Sequence, residues 1–111
     1  MYNATSTTFQ NDVIDASGTE PVVVMFHASW CGPCRGMKPL VDALAAEQGF
    51  KLVGVDAGEN RDLAAQYNVR AVPTLAVFKD GALVTAVAGG LTIDRLRSFL
   101  AAAGVPANTK E

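Results

Sequence analysis

The chain alternates between short runs that are apolar at every position and longer stretches in which apolar residues recur every three or four positions. Pro21-Val22-Val23-Val24-Met25-Phe26 is rich in β-branched residues and has no polar face, the pattern of a strand covered on both sides. It predicts a strand in the middle of a sheet. From Pro33 onward, Met37, Leu40, Val41 and Leu44 form one helical stripe that ends at Gly49, and Pro39 inside it predicts a kink rather than a stop. Lys51 to Val55 reads as a second central strand, and Asn60 as the cap of a helix carrying Leu63, Ala64 and Tyr67. Thr74 to Phe78 and Leu83 to Ala88 flank Lys79-Asp80-Gly81, whose Asp-Gly pair predicts the turn of an antiparallel hairpin. Gly89-Gly90 closes that hairpin, and Thr92 is the expected cap of a last helix burying Ile93, Leu96, Phe99, Leu100 and Ala103. Near the start of the chain, Thr7 or Thr8 is the expected cap of a short helix to about Asp15, broken by Ala16-Ser17-Gly18-Thr19.

Strands alternating with helices, followed by a hairpin and a final helix, predict an α/β layer fold whose sheet is mixed. With 111 residues the chain makes one domain, expected over residues 1–104, with 105–111 as a flexible C-terminal tail. Half the residues are hydrophobic and 18% are charged, which excludes a disordered chain. A formal charge of -2 without a block of Lys or Arg argues against a nucleic-acid partner. The longest apolar run, Pro21 to Phe26, falls far below the roughly 20 residues of a membrane helix. Met1 to Thr8 lacks the basic start and apolar stretch of an export signal, so no membrane contact and a cytoplasmic location are expected.

The two cysteines, Cys31 and Cys34, are too few for a stapled secreted scaffold, and with a single His they fall short of the four ligands of a zinc site within one chain. Random placement would set two cysteines three apart only about 2 times in 100, so the spacing calls for a chemical reason. Trp30-Cys31-Gly32-Pro33-Cys34 stands between a buried strand and a helix, which puts Cys31 at the helix N-terminus and Cys34 one turn further in. A thiolate at Cys31 would face open backbone amides and the positive end of the helix dipole, so Cys31 is the expected nucleophile. Pro33 opens a helix without losing a hydrogen bond, and Gly32 leaves the approach to Cys31 clear. Cys34 is then placed to attack a mixed disulfide on Cys31 and leave an intramolecular bridge. No Gly-x-Gly-x-x-Gly fingerprint or P-loop is present, so NADPH is expected to bind a partner; the redox-active Cys31–Cys34 disulfide stands alone, with no bound cofactor and no metal.

These residues resemble the thioredoxin family. Trp30-Cys31-Gly32-Pro33-Cys34 matches its active-site sequence, and Pro39, Arg70-Ala71-Val72-Pro73-Thr74, Phe78-Lys79-Asp80-Gly81 and Gly89-Gly90 fit in order and spacing, from about Phe9 to Leu100. The resemblance implies a thioredoxin-like fold with a five-stranded mixed sheet flanked by four helices, and a cis peptide bond before Pro73. It further implies protein-disulfide reductase activity, disulfide-containing proteins as targets, and electrons from a thioredoxin reductase. The chain is expected to act as a monomer. An apolar target-binding patch is implied at Trp30, Gly32, Pro33, Ala71, Val72, Pro73, Ala88 and Gly89.

Three positions depart from the family. Met25 stands where a buried Asp is usual, Gly54 where a nearby Lys is common, and His27 where Trp is frequent. The exchange itself needs only two thiols and a helix end, so the function is retained while proton transfer must differ. His27 falls on the strand face of Val23 and Met25, where it either fills space with one nitrogen satisfied or handles a proton beside Cys34. Arg61, Asp62 and Arg95 read as solvated. Two rival functions stand beside the reductase: a non-catalytic subunit that uses the same patch to grip a partner, and an oxidant or isomerase, set by redox potential. The intact cysteine pair and the Gly-Pro between them favour the reductant.

Overall fold

Where the sequence offers no polar face, the chain runs through the middle of a sheet. A computed structural model describes residues 1–106. Five strands, β1 (Tyr2–Ala4), β2 (Val22–His27), β3 (Lys51–Asp56), β4 (Thr74–Lys79) and β5 (Ala82–Ala88), pair in the order β1-β3-β2-β4-β5. The β1-β3 and β3-β2 pairs are parallel, while β2-β4 and β4-β5 are antiparallel. The sheet is therefore mixed, and β2 is its centre. β1 has no counterpart in the hydrophobic pattern because only Ala4 of its three residues is buried.

Side-chain alternation along β2 divides the core in two. Val23 and Met25 face α1 (Gly32–Gln48) and α3 (Ile93–Ala102), meeting Met37, Val41, Leu44, Leu96 and Leu100. Val22, Val24 and Phe26 face the opposite way, toward Phe9, Val13 and Leu63. That second layer is built by a π-helical segment, Gln10–Asp15, which tightens into a 3-10 turn at Ala16–Gly18, and by the short helix α2 (Arg61–Gln66). Phe9, Tyr67 and Phe78 stack there with ring centroids 5.1 to 5.6 Å apart, Phe78 meeting both others edge-on. Together the three α-helices and the N-terminal segment account for the four helices around the sheet.

The helix ends follow the sequence unevenly. Gly49 closes α1 in the left-handed region at φ 80°, donating its N–H to Ala45, and α1 runs through Pro39 without stopping. Thr92 caps α3, its hydroxyl accepting from the Arg95 N–H. Neither Thr7 nor Thr8 caps the first segment: the backbone is already helical at Phe9, and the Thr8 hydroxyl accepts from Thr5 instead. Asn60 does not cap α2 through its side chain either. Its amide group donates to the Asp56 carbonyl and its oxygen accepts from the Ser6 backbone and hydroxyl, tying the N-terminal stretch to the β3–α2 loop.

Asp80 and Gly81 both have positive φ, 51° and 80°, the type I′ geometry that suits a twisted hairpin. Ser17 holds this turn from outside the hairpin. Its carbonyl accepts from Asp80, its hydroxyl accepts from Gly81 at 2.8 Å, and the same hydroxyl donates to Ile14. Of the segment expected to form the tail, Val105 is buried and donates to Leu100, Pro106 is exposed, and residues 107–111 lie outside the described residues. Among the described residues, no helix is long and apolar enough to cross a membrane.

Replacing Ser17 with Ala removes the acceptor for Gly81 and is expected to lower the unfolding free energy by about 1–2 kcal/mol. Equilibrium urea unfolding measures this, and an unchanged midpoint would show that the hairpin turn is stable without the clamp.

Candidate active site

β2 ends at His27, and Ala28, Ser29, Trp30 and Cys31 lead directly into α1. Cys31 is the N-cap of that helix, in extended backbone conformation, with its sulfur accepting from the Cys34 N–H at 3.2 Å. This is the place that a Ser or Asp oxygen usually fills, so the structural acceptor of the helix start is a sulfur. Pro33 occupies the first turn, where its missing N–H would have had no intrahelical partner. Cys31 and Cys34 are joined as a disulfide with Cα atoms 5.4 Å apart. Both are buried, packed in one cluster with Met25, Ala28 and Met37.

Around this buried bond stands an exposed rim drawn from three loops. Trp30 is 74% exposed and lines a pocket of about 390 Å³ together with Ala71 and Val72. The peptide bond between Val72 and Pro73 is cis, and the Pro73 carbonyl accepts from the Gly89 N–H at 2.8 Å. That bond ties the end of β5 to the proline segment. A side chain at Gly90 would reach within 3.9 Å of Pro33, so the β5–α3 connection also borders the first turn of α1. Gly32, Pro33, Ala71, Ala88 and Gly89 are exposed, whereas Pro73 is buried and reaches the rim through its backbone.

Behind Cys34 lies a second cavity, of about 180 Å³, whose walls include Met25, His27, Arg35 and Lys38. Met25 is fully buried and pairs in register with Gly54 on β3. A Cβ on Gly54 would come within 2.7 Å of the Met1 sulfur and within 2.7 Å of the Asn3 side-chain oxygen. Met1 and Asn3 thus cover the glycine, and a side chain there would have to displace the ends of theirs. Neither position carries a charged group: Met25 presents a thioether, and the space over Gly54 is taken by Met1 and Asn3.

His27 shares the cavity with Cys34, and its Nε2 is buried without a hydrogen-bond partner. The nitrogen is therefore not satisfied by packing. Burial lowers the imidazole pKa below 6.5, Asp56 opposes this, and Lys38 adds to it. The lowered pKa leaves the ring uncharged near neutral pH, in the wall of the cavity that Cys34 also lines.

Several wall residues carried no signal in the sequence pattern. Lys38 lies four residues after Cys34 on α1, so helical spacing could have placed it over the same spot. Ala57 and Gly58 reach Trp30 because the Ala57 N–H donates to the His27 carbonyl at 2.7 Å, which pulls the β3–α2 loop to the end of β2. Arg61, read as solvated, is exposed but lines the pocket beside Trp30. Asp62 is exposed and accepts from the Ser6 hydroxyl, while Arg95 is exposed on α3. Among the described residues, no group of three or more His, Cys, Asp or Glu could hold a metal ion.

A disulfide at the start of a helix, at the end of a central strand and inside an exposed apolar rim, defines the class: a thiol-disulfide oxidoreductase of α/β architecture. The thioredoxin family model matches residues 1–102. The chain is 44% identical over 98 residues to thioredoxin 1 of Synechococcus elongatus, covering 86% of this chain and 90% of that protein. It is 40% identical over 102 residues to thioredoxin of Pseudomonas aeruginosa, covering 90% and 93%. The crystal structure of Fasciola hepatica thioredoxin superimposes with a TM-score of 0.83 at 34% identity, covering 93% of this chain and 99% of that one. The chain belongs to the thioredoxin family, and its activity is thiol-disulfide reduction through the Cys31–Cys34 pair.

Two predictions follow from the cavity. His27 is the single histidine, so one imidazole signal reports it, and its NMR titration midpoint is expected below 6.5. Because the folded pKa is depressed, the associated stability is complete above 6.5 and is lost as pH falls through the folded value. A midpoint at or above 6.5 would contradict burial as the dominant influence. Met25→Asp places a carboxyl at a fully buried position, where burial outweighs the partly solvated Lys38 and raises the folded pKa above about 3.9. The variant is expected to lose about 3 kcal/mol of stability near neutral pH. The stability tied to the neutral acid is full below a pH of about 3.9 and drains as pH rises through the folded pKa, so the gap from wild type widens in that direction. Urea unfolding of both proteins across this range measures it, and equal stability throughout would place position 25 outside the core.

Proposed function

We propose that this protein is a general protein-disulfide reductase in which Cys31 attacks and Cys34 resolves. The supporting observation is the sulfur of Cys31 at the N-cap of α1, accepting from the Cys34 N–H. In the reduced protein, the same amide and the helix dipole favour a thiolate there. The Cys31 thiolate attacks one sulfur of the target disulfide, forming a mixed disulfide and releasing the other target sulfur as thiolate. Cys34 then gives up its proton and attacks the Cys31 sulfur; the Cys31–Cys34 bond forms, and the second target thiolate leaves. Two electrons pass from the dithiol to the target, and the released thiolates take up protons.

The proton from Cys34 leaves into the cavity shared with His27. There the neutral imidazole and water share the role that a buried carboxylate fills elsewhere in the family. His27 tunes this step and is not indispensable to it. Trp30, Gly32, Pro33, Ala71, Val72, Ala88, Gly89 and the Pro73 backbone form the docking rim for extended target segments. A thioredoxin reductase regenerates the dithiol with electrons from NADPH, and the protein works as a monomer in the cytoplasm, where the reducing poise keeps dithiols available.

NADPH-coupled reduction of a disulfide protein by a thioredoxin reductase tests this reading. Cys31→Ser is expected to abolish turnover, and Cys34→Ser to accumulate mixed disulfides with targets. Brief alkylation of the reduced protein is expected to label Cys31 first. Turnover that survives Cys31→Ser would replace the reductase with a partner-gripping subunit. His27→Trp is expected to slow the reaction by no more than about tenfold, and a loss of several hundredfold with folding intact would make His27 the essential base.

A further inference from the structure

The pocket beside Trp30 combines apolar and basic lining. Trp30, Ala64 and Val72 supply apolar wall, and Arg61 and Arg70, both exposed, supply charge. No Asp or Glu lines it. The two arginines are also without carboxylate partners: the ion pairs among the described residues join Arg97 to Glu47 and the Met1 ammonium to Asp42. Of the nearby acids, Asp56 accepts from the Gly58 and Glu59 N–H groups, Asp62 accepts from Ser6, and Glu59 is exposed beside Gly58; none of the three lines the pocket. Arg70 is held in place. Its Nε donates at 2.9 Å to the side-chain oxygen of Asn68, a residue in the left-handed region at φ 58°, which leaves the terminal guanidinium nitrogens free. All this occurs on a chain with net charge -2, so the basic lining does not reflect general basicity.

We propose that this pocket makes the reductase selective for target segments carrying an Asp or Glu side chain within a few residues of the attacked cysteine. The proposal rests on the reductase reading and names its preferred substrate class. Trp30 directly precedes Cys31, and an extended segment advances about 3.3 Å per residue, so a target lying along the rim sets a near neighbour of its cysteine in the pocket. A pocket lined by apolar side chains and two arginines suits an acidic side chain, whose methylene stem packs on Trp30 and whose carboxylate meets Arg61 and Arg70. A lysine at the same place would bring a third cation.

The test uses the reduced full chain and disulfide-linked peptides identical except for one residue, Glu, Gln or Lys, set at each of the three positions on either side of the cysteine. The rate constant is read by stopped-flow fluorescence of the single tryptophan, Trp30. At its best position the Glu peptide is expected to react about fivefold to tenfold faster than the Lys peptide at low salt, with Gln between. This ratio should fall toward one at about 1 M salt, where screening is strong. It should shrink in Arg61→Gln and in Arg70→Gln and invert in the Arg61→Glu/Arg70→Glu double variant. A ratio of one at every position in wild type, or a ratio that survives charge reversal, overturns the proposal. The uncharged Gln peptide separates the two readings. Failure to reduce any of the peptides removes the reductase reading itself, whereas reduction with no charge preference among them removes only the acidic selectivity.

Discussion

The contact between the Cys31 sulfur and the Cys34 N–H joins the fold to the chemistry. A helix start leaves backbone donors without intrahelical partners, and something must accept from them. In this chain that acceptor is one sulfur of the redox-active disulfide. The arrangement requires β2 to end in the core, the linking residues to turn once through the Cys31 N–H bond to Ala28, and α1 to begin at Gly32. Each requirement is met by buried packing on the α1 face of the sheet, so the reactive sulfur is positioned by the same residues that hold the molecule together. A sulfur carrying negative charge accepts a stronger hydrogen bond than a neutral one. A helix start capped by sulfur is therefore strengthened whenever that sulfur carries negative charge.

The interior beside that bond is less polar than the family pattern leads one to expect. Met25 on β2 and Gly54 on β3 are direct neighbours in parallel register, and Met1 and Asn3 cover the glycine. A buried carboxyl would need a partner, because leaving it unpaired costs several kcal/mol or forces it to stay protonated. A thioether carries no such demand and adds apolar burial worth about 2 kcal/mol. Replacing both polar positions together is self-consistent: an ammonium across from Met25 would face a thioether, and a carboxylate at position 25 would find no partner on β3, only the exposed Lys38 on α1. His27, one alternation further along the same strand face, brings an imidazole into the cavity that Met25 and Cys34 line.

Legibility in the sequence tracked how many neighbours a residue needs. β2, β4 and the hairpin turn were readable because their signals are local: apolar residues on both faces, and Asp80-Gly81 with positive φ. The active-site pentapeptide was readable for the same reason, since strand, cap, proline and second thiol are contiguous. β1 was not, because Tyr2-Asn3-Ala4 becomes a strand only through its parallel partner β3. The caps assigned to Thr8 and Asn60 failed where a competing acceptor or donor was within reach: Thr5 for one, Ser6 and Asp56 for the other. Arg61 looked solvated because it is solvated; what the pattern omits is the pocket wall it shares with Trp30.

That pocket shows how chemistry and selectivity are separated in this architecture. The disulfide is fixed by core packing, and a change in Met37, Val41 or Leu75 would disturb the fold along with the site. Trp30, Gly58, Arg61 and Arg70 lie on the linker into α1, the β3–α2 loop, the exposed start of α2 and the segment before β4, joined to the core chiefly through backbone bonds such as that from Ala57 to His27. Their side chains bury little, so substitutions among them change the charge and shape of the rim with small effects on stability. The reaction is set by one helix start, which tolerates little alteration. What the reactive bond meets is set by loops that the sheet holds near it, and these are free to vary.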